Sequence, residues 1–333
     1  MITRIAQAVW YEGHPLGYWL RPLEASYCGA VWLRRRLFGR GWLAKERLPV
    51  PVIVVGNVVV GGSGKTPLVL WIAHLLAAKG WRPGIISRGY GGRGGPGPRE
   101  VTETSDPREV GDEPLLLARR SGIPVAVAGQ RAAAGRLLLE RYGCHCLISD
   151  DGLQHYGLVR DVEIAVTDRQ RGLGNGRCLP AGPLREPLSR LAEVDLRVAQ
   201  GEGERGEYPM TLLPTGLYPL QGKQFSYSLD TWRGITVHGV AGIGHPERFF
   251  TLLRNHGLHV IPHPYSDHAP YQRGALDYGD GRPVVMTEKD AVKYIPFAGP
   301  SHWYVAVEAQ LPQVFGEQLL ARLKLTMDSA PRG

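Results

Sequence analysis

Six residues, Gly61-Gly62-Ser63-Gly64-Lys65-Thr66, constrain this chain more than any other stretch. They follow the apolar run Val50-Pro51-Val52-Ile53-Val54-Val55, and a helical pattern opens at Lys65 and continues through Trp71, Ile72, Leu75 and Leu76. A buried strand that empties through a glycine-rich turn into a helix is a phosphate-binding arrangement. Glycines let backbone N–H groups crowd around an anion, and the helix N-terminus adds favourable potential. The lysine supplies a point charge, and the threonine hydroxyl can reach Mg²⁺. One position departs from the strict pattern G-x-x-x-x-G-K-[ST]: Val59 stands where it asks for glycine.

Downstream, short apolar runs alternate with helical patterns, which predicts an α/β fold with a mostly parallel sheet covered by helices. Gly84–Ser87 reads as a strand ending in Arg88-Gly89-Tyr90-Gly91-Gly92, and a glycine-rich loop follows from Arg93 to Pro98. Gly111-Asp112-Glu113-Pro114 opens an amphipathic helix. Acidic residues in a first helical turn also serve simply as dipole complements. Pro124–Ala128 is another strand, and Cys146-Leu147-Ile148-Ser149-Asp150-Asp151 a further one that ends in two carboxylates. Adjacent carboxylates at a strand end repel unless a cation or donors compensate, which suits the second Mg²⁺-binding element of a phosphate-loop enzyme. Two segments rich in glycine, proline and charge follow, Arg171–Gly176 and Leu179–Pro187, with the character of functional loops. The pattern weakens around 200–230 and then resumes, with Ser266-Asp267-His268 after one strand and Thr287-Glu288-Lys289-Asp290 after another. The expected organisation is an N-terminal amphipathic segment (1–47), a phosphate-loop domain (48–208), a short extended linker (209–234) and a smaller α/β domain (235–333).

The N-terminal segment admits two readings. Leu16, Trp19, Leu20, Leu23, Tyr27, Ala30 and Val31 recur at helical spacing, and Arg34-Arg35-Arg36, Arg40, Lys45 and Arg47 supply cations. Trp and Tyr beside Arg suit a helix lying at a bilayer surface, with roughly 1 kcal/mol from each basic residue on anionic lipid. The same pattern fits a helix packed on the core with solvated arginines. A net charge of +8 and a pI near 9.4 favour an anionic partner without choosing among nucleic acid, acidic lipid and phosphorylated substrate. No nucleic-acid module is recognisable. Guanine recognition of the form [NT]-K-x-D fails at Thr287–Asp290, where Lys289 and Asp290 are adjacent. Four scattered cysteines (Cys28, Cys144, Cys146, Cys178) argue against a disulfide framework, and no secretory signal or membrane span is visible, so a cytoplasmic chain is expected.

Taken in order, these segments resemble the tetraacyldisaccharide 4′-kinase family, the inner-membrane lipid A 4′-kinases of Gram-negative bacteria. The resemblance rests on Val55-Gly56-Asn57 with Gly61–Pro67, Ser87-Arg88-Gly89-Tyr90-Gly91, Gly111–Pro114, Asp150–His155, Arg171–Gly176, Leu179–Glu186, Asp267-His268 and Thr287–Lys293. It spans about residues 10–325. The family's loop also lacks the first glycine, whereas Ala269 stands where many members carry a second histidine. The resemblance implies transfer of the γ-phosphoryl of ATP, with Mg²⁺, to the 4′-hydroxyl of a tetraacylated glucosamine disaccharide 1-phosphate, giving lipid IVA. It implies two α/β/α domains with nucleotide between them, a peripheral position on the cytoplasmic face of the inner membrane, and no obligate protein partner. By the same resemblance Gly61, Gly62, Ser63, Gly64, Lys65 and Thr66 hold the phosphates, and Thr66, Asp150 and Asp151 the metal. Asp112, paired with His268, takes the hydroxyl proton. Arg88, Tyr90, Asn175, Arg185 and Glu186 lie at the acceptor or the transferring group.

Overall fold

The computed structural model describes residues 2–95, 97–221, 225–267, 269 and 271–329. In chain order the strands are β1 (Val52–Gly56), β2 (Pro83–Ser87), β3 (Arg99–Val101), β4 (Val125–Val127), β5 (Cys146–Asp150), β6 (Val162–Asp168), β7 (Leu196–Gln200), β8 (Tyr208–Pro219), β9 (Thr236–Ala241), β10 (His259–Pro264), β11 (Val284–Thr287) and β12 (His302–Gln310). The helices are α1 (Ile2–Tyr11), α2 (Leu16–Trp19), α3 (Arg21–Gly39), α4 (Lys65–Ala78), α5 (Pro107–Val110), α6 (Asp112–Ser121), α7 (Arg131–Tyr142), α8 (Pro246–Asn255), α9 (Glu288–Tyr294) and α10 (Gln313–Ser329). The sheet runs in the order β10-β9-β11-β12-β8-β7-β6-β1-β5-β2-β4-β3. Among the paired strands of the described residues, β3 against β4 and β8 against β12 run antiparallel and the rest parallel.

Strand β1 lies near the centre and is buried on both faces, which is why it reads as an unbroken apolar run. Ile53 and Val55 join Leu68, Ile72 and Leu76 of α4 on one face, and Val52 and Val54 join Ala134 and Leu138 of α7 on the other. Helix α4 is apolar around most of its circumference because α10 covers its far side, Phe315 meeting Trp71 at 5.5 Å between ring centroids. The closing helix thus packs on the phosphate-loop half, although β9 to β12 precede it in the chain.

Strand β8 belongs to both halves. Tyr208–Met210 pair in parallel with Val198–Gln200, and Thr211–Pro219 pair antiparallel with β12, with a register shift between Ala306 and Val307. Beyond it, β12, β11, β9 and β10 carry α8 on one face through Phe249, Phe250 and Leu253, while Tyr271, Leu276 and Tyr294 pack on the other. The sequence left Arg99–Val101 unassigned; it pairs as an edge strand with β4.

The N-terminal helices divide their residues differently from the expectation. Tyr27 and Val31 do not share the outward face of Leu16, Trp19 and Leu23. Tyr27 turns inward, its hydroxyl donating to the Arg185 carbonyl at 2.9 Å, and Glu24 accepts from the Cys178 amide at 3.0 Å. A stripe of Glu24, Tyr27, Cys28, Val31, Arg35 and Phe38 faces the body, while Trp19 (81% exposed), Leu23, Trp32, Leu33 and Trp42 (73%) face away. Among the described residues no helix is long and apolar enough to cross a membrane.

Candidate active site

The glycine-rich turn leaves β1 and enters α4 through Gly64, whose φ of +80° places it in the left-handed region. A side chain there would also press on Met210 and Gln200. Asn57 pins the turn from within, its amide nitrogen donating to Gly61 O and to Ser63 Oγ, both at 3.1 Å. The valine at position 59 has a structural reason. The first part of the turn is strand-like: Val59 bridges Leu184, Val60 donates to the Pro183 carbonyl at 2.9 Å, and Arg185 donates to the Val58 carbonyl at 2.7 Å. Val58 and Val59 form a small apolar cluster with Cys178 and Leu184, so a side chain at 59 is buried there.

At the end of β5 the two aspartates occupy different environments. Asp150 is 1% exposed, and neither carboxylate oxygen has a hydrogen-bond partner. Burial, with Glu113 and Asp151 nearby, pushes its pKa up to about 7 despite Lys65 and Arg131. Asp151 has a φ of +47°, which turns its carboxylate onto Lys65 Nζ at 3.4 Å and Arg185 Nη1 at 3.0 Å. Burial alone would raise its pKa; Lys65 and Arg185 outweigh it and hold the group below the ordinary carboxylate range. An ionisable carboxylate buried without donors fits a divalent cation, and Thr66 at the start of α4 offers a hydroxyl on the same loop. The donor set therefore suits Mg²⁺.

Arg131, which the sequence reading did not single out, organises this strand end. It is almost fully buried and donates to the backbone carbonyls of Asp150 at 3.2 Å and Asp151 at 2.7 Å. Burial lowers its pKa to about 10, leaving it cationic at neutral pH. Its signal was a cation at the first position of a helix whose next three residues are alanine. His155 lies in the field of Arg131, Arg160, Arg34 and Arg88; burial first, and these cations second, lower its pKa to about 4.

The loop from Arg171 to Pro187 uses most of its expected site residues as braces. Asn175 donates through its side-chain amide to the carbonyls of Val9 at 3.2 Å and Ala181 at 2.8 Å, and its backbone N–H donates to Trp10 O. It ties α1 to the loop. Glu186 is 1% exposed and accepts from Gln154 at 3.0 Å and from the Tyr156 hydroxyl. Arg185 reaches Asp151, as above. Arg88 and the exposed Tyr90 border a second hollow of about 740 Å³ beside the glycine-rich segment and Gln130. Asp112 occupies the first turn of α6, next to Glu113. His268 lies outside the described residues.

The turn opens onto a cleft of about 540 Å³ between the two halves of the sheet. Gly62–Thr66 and Glu113 form one wall, and Ile243, His245, Arg248 and Lys289 belong to the opposite one. Apolar side chains, Met210, Leu212, Phe249, Leu252, Val305 and Val307, line its floor. Ion pairs cross it: Arg248 to Asp168 at 2.7 Å, Arg120 to Glu288 at 2.7 Å, and Lys289 to Glu113 at 2.9 Å. These cross-cleft partners were invisible in sequence, because each pair is separated by 80 residues or more.

The sequence model of the family described as Tetraacyldisaccharide-1-P 4'-kinase matches residues 16–324. A tetraacyldisaccharide 4'-kinase from Alkalilimnicola ehrlichii is 55% identical over 305 residues, covering 91% of this chain and 92% of the relative. Another, from Nitrosococcus oceani, is 48% identical over 316 residues, covering 95% and 93%. Among solved structures, LpxK from Aquifex aeolicus, crystallised in complex with ATP, superposes with a TM-score of 0.77 at 29% identity, over 92% of this chain and 99% of that one. A phosphate loop that lies beside two strand-end aspartates and opens onto a cleft therefore sits in a chain that belongs to the tetraacyldisaccharide 4'-kinase family.

Proposed function

We propose that this chain transfers the γ-phosphoryl group of ATP to the 4′-hydroxyl of a tetraacylated glucosamine disaccharide 1-phosphate, giving lipid IVA. The observation that carries this reading is the pairing of Lys65 and the left-handed Gly64 turn with a buried, unpartnered Asp150 on the adjoining strand. The amides of Gly62–Thr66 and Lys65 Nζ bind the phosphates, and the apolar floor of the cleft takes the base. Asp150 and the Thr66 hydroxyl would hold Mg²⁺, which when bound would supply charge neutralisation at the transferring phosphoryl group. Asp151, engaged by Lys65 and Arg185, orients those two cations instead. Asp112 accepts the proton of the attacking hydroxyl as the new O–P bond forms and the bond to ADP breaks, and His268 tunes it. A carboxylate is a weak base for an alcohol, which suits a loose transition state that needs positioning more than basicity. Arg88 and Tyr90 line the acceptor side, and Arg185 lies between acceptor and phosphoryl group. Asn175 and Glu186 act by shaping the loop that carries Arg185.

The exposed aromatic and cationic face of residues 1–47 rests on the anionic cytoplasmic leaflet of the inner membrane, where the acyl chains of the acceptor remain. Residues 48–208, with α10 packed on them, and residues 235–310 act as two units that close about the segment 209–234. Incubation of the lipid disaccharide 1-phosphate with protein, ATP and Mg²⁺ should add one phosphate to the 4′ position, read by mass spectrometry. An unchanged lipid mass would refute the kinase reading.

A further inference from the structure

Lys289 joins the residue next to the proposed proton acceptor to a residue from the opposite half of the chain. Its ammonium donates to Glu113 Oε1 and to Asp267 Oδ1, both at 2.9 Å. Glu113 follows Asp112 on the first turn of α6, and Asp267 precedes His268 in sequence. One cation from α9 therefore ties the residue beside the candidate base to the residue beside its partner, although α6 and the 266–269 turn come from opposite halves of the chain. Lys289 is largely buried, and the two carboxylates, with burial opposing them, raise its pKa, so it stays charged throughout the neutral range. At the far end of α6, Arg120 donates to both carboxylate oxygens of Glu288, at 2.7 and 2.8 Å. Helix α6 is thus fastened to α9 at its first and last turns, although by chain order it belongs with the phosphate loop.

We infer that Lys289 is a positioning residue for the phosphoryl transfer: it fixes the first turn of α6, and Asp112 with it, by holding Glu113 and Asp267 on one ammonium. The inference rests on the assignment of Asp112 as the proton acceptor. An ammonium has three donors on a flexible stem, so one group can serve two carboxylates from different directions. Loss of the cation removes the tie between Glu113 and Asp267, so the first turn of α6 is no longer fastened to the opposite half of the chain. Asp112, on that turn, then leaves the geometry in which it can take a proton.

The competing role for a lysine on this cleft wall is a direct clamp on nucleotide phosphate, and kinetics separates the two. With Lys289→Met, kcat should fall about 100-fold, the scale of a roughly 1 Å misplacement. The Kd for ATP should stay within about threefold. Lys289→Arg, which keeps the charge and can bridge both carboxylates, should recover most of kcat. A weakened ATP affinity with kcat preserved at saturation makes Lys289 a phosphate clamp and overturns the inference; so does wild-type behaviour in both. Should Lys289→Met fail to bind ATP at all, the double variant Glu113→Gln/Asp267→Asn, which keeps the lysine, decides: unchanged kcat refutes the bridge, and a matching loss of kcat upholds it. Asp112→Asn is run alongside. Full activity in that variant removes the proton-acceptor assignment itself, whereas an inactive Asp112→Asn beside a normal Lys289→Met removes only the role of the bridge.

Discussion

Asp150 and Asp151 are neighbours that the fold treats in opposite ways. The left-handed turn at Asp151 sends its carboxylate to two cations, while Asp150 remains inside without donors. The difference has a measurable sign. The folded-state pKa of Asp150 lies at about 7, above its ordinary value near 3.9, so the folded chain holds a proton that the unfolded chain releases. Stability is therefore lost as pH rises from about 4 through about 7, and the cost is complete above that range. In chelator-treated protein, Asp150→Asn should raise Tm by a few degrees near pH 8.5 and much less near pH 5. Equal shifts at the two pH values would show that Asp150 is not strained by its charge. The same variant should lose Mg²⁺-dependent turnover. Lys65→Ala should reduce kcat by at least about 100-fold, the scale for removing one preorganised charge-stabilising donor; a near-normal kcat would take the loop out of the mechanism.

Helix α3 has two jobs on two faces, and they can be tested apart. Its inner stripe holds the Arg171–Pro187 loop through Glu24 and Tyr27, and with it Arg185 on Asp151. Its outer face, together with α2 and the Gly41–Leu43 turn, exposes Trp19, Leu23, Trp32 and Trp42 among arginines. Deletion of residues 1–40 would remove both functions at once, so substitutions confined to the outer face are the sharper probe. Arg36→Gln/Arg40→Gln should weaken binding to anionic vesicles roughly thirtyfold at about 1 kcal/mol for each cation. Turnover of detergent-dispersed acceptor should be unchanged. Sedimentation with anionic liposomes equal to the parent protein would reject the membrane face. The helical period found an apolar stripe but could not say which part of it the body would claim, since Tyr27 and Val31 differ from Leu23 and Ala30 only in their tertiary neighbours.

For the whole molecule, the parts legible in sequence were those built from consecutive residues: the turn after β1, the acidic end of β5, the alternation of strand and helix. Each is a local pattern with a local physical cause. What was not legible depends on partners far away in the chain. Arg131 looks like an ordinary helix residue until two backbone carbonyls of β5 close over it. Asn175 looks like a contact for ligand, yet its amide is occupied by α1 and Ala181. The first part of the extended stretch expected at 209–234 becomes β8, hydrogen-bonded to both halves. Helix α10 returns to cover α4, with Phe315 fully buried against Trp71 and Tyr208. Phe315→Ala should cost about 3–5 kcal/mol in denaturant titrations, more than any exposed substitution in α10. The return of α10 also sets a clock on biosynthesis. The phosphate-loop half is translated first, but its core stays open beside α4 until the residues of α10 have emerged from the ribosome. Nucleotide binding should thus be a late event on the nascent chain, and ribosome-bound chains arrested before residue 313 should leave α4 open to protease.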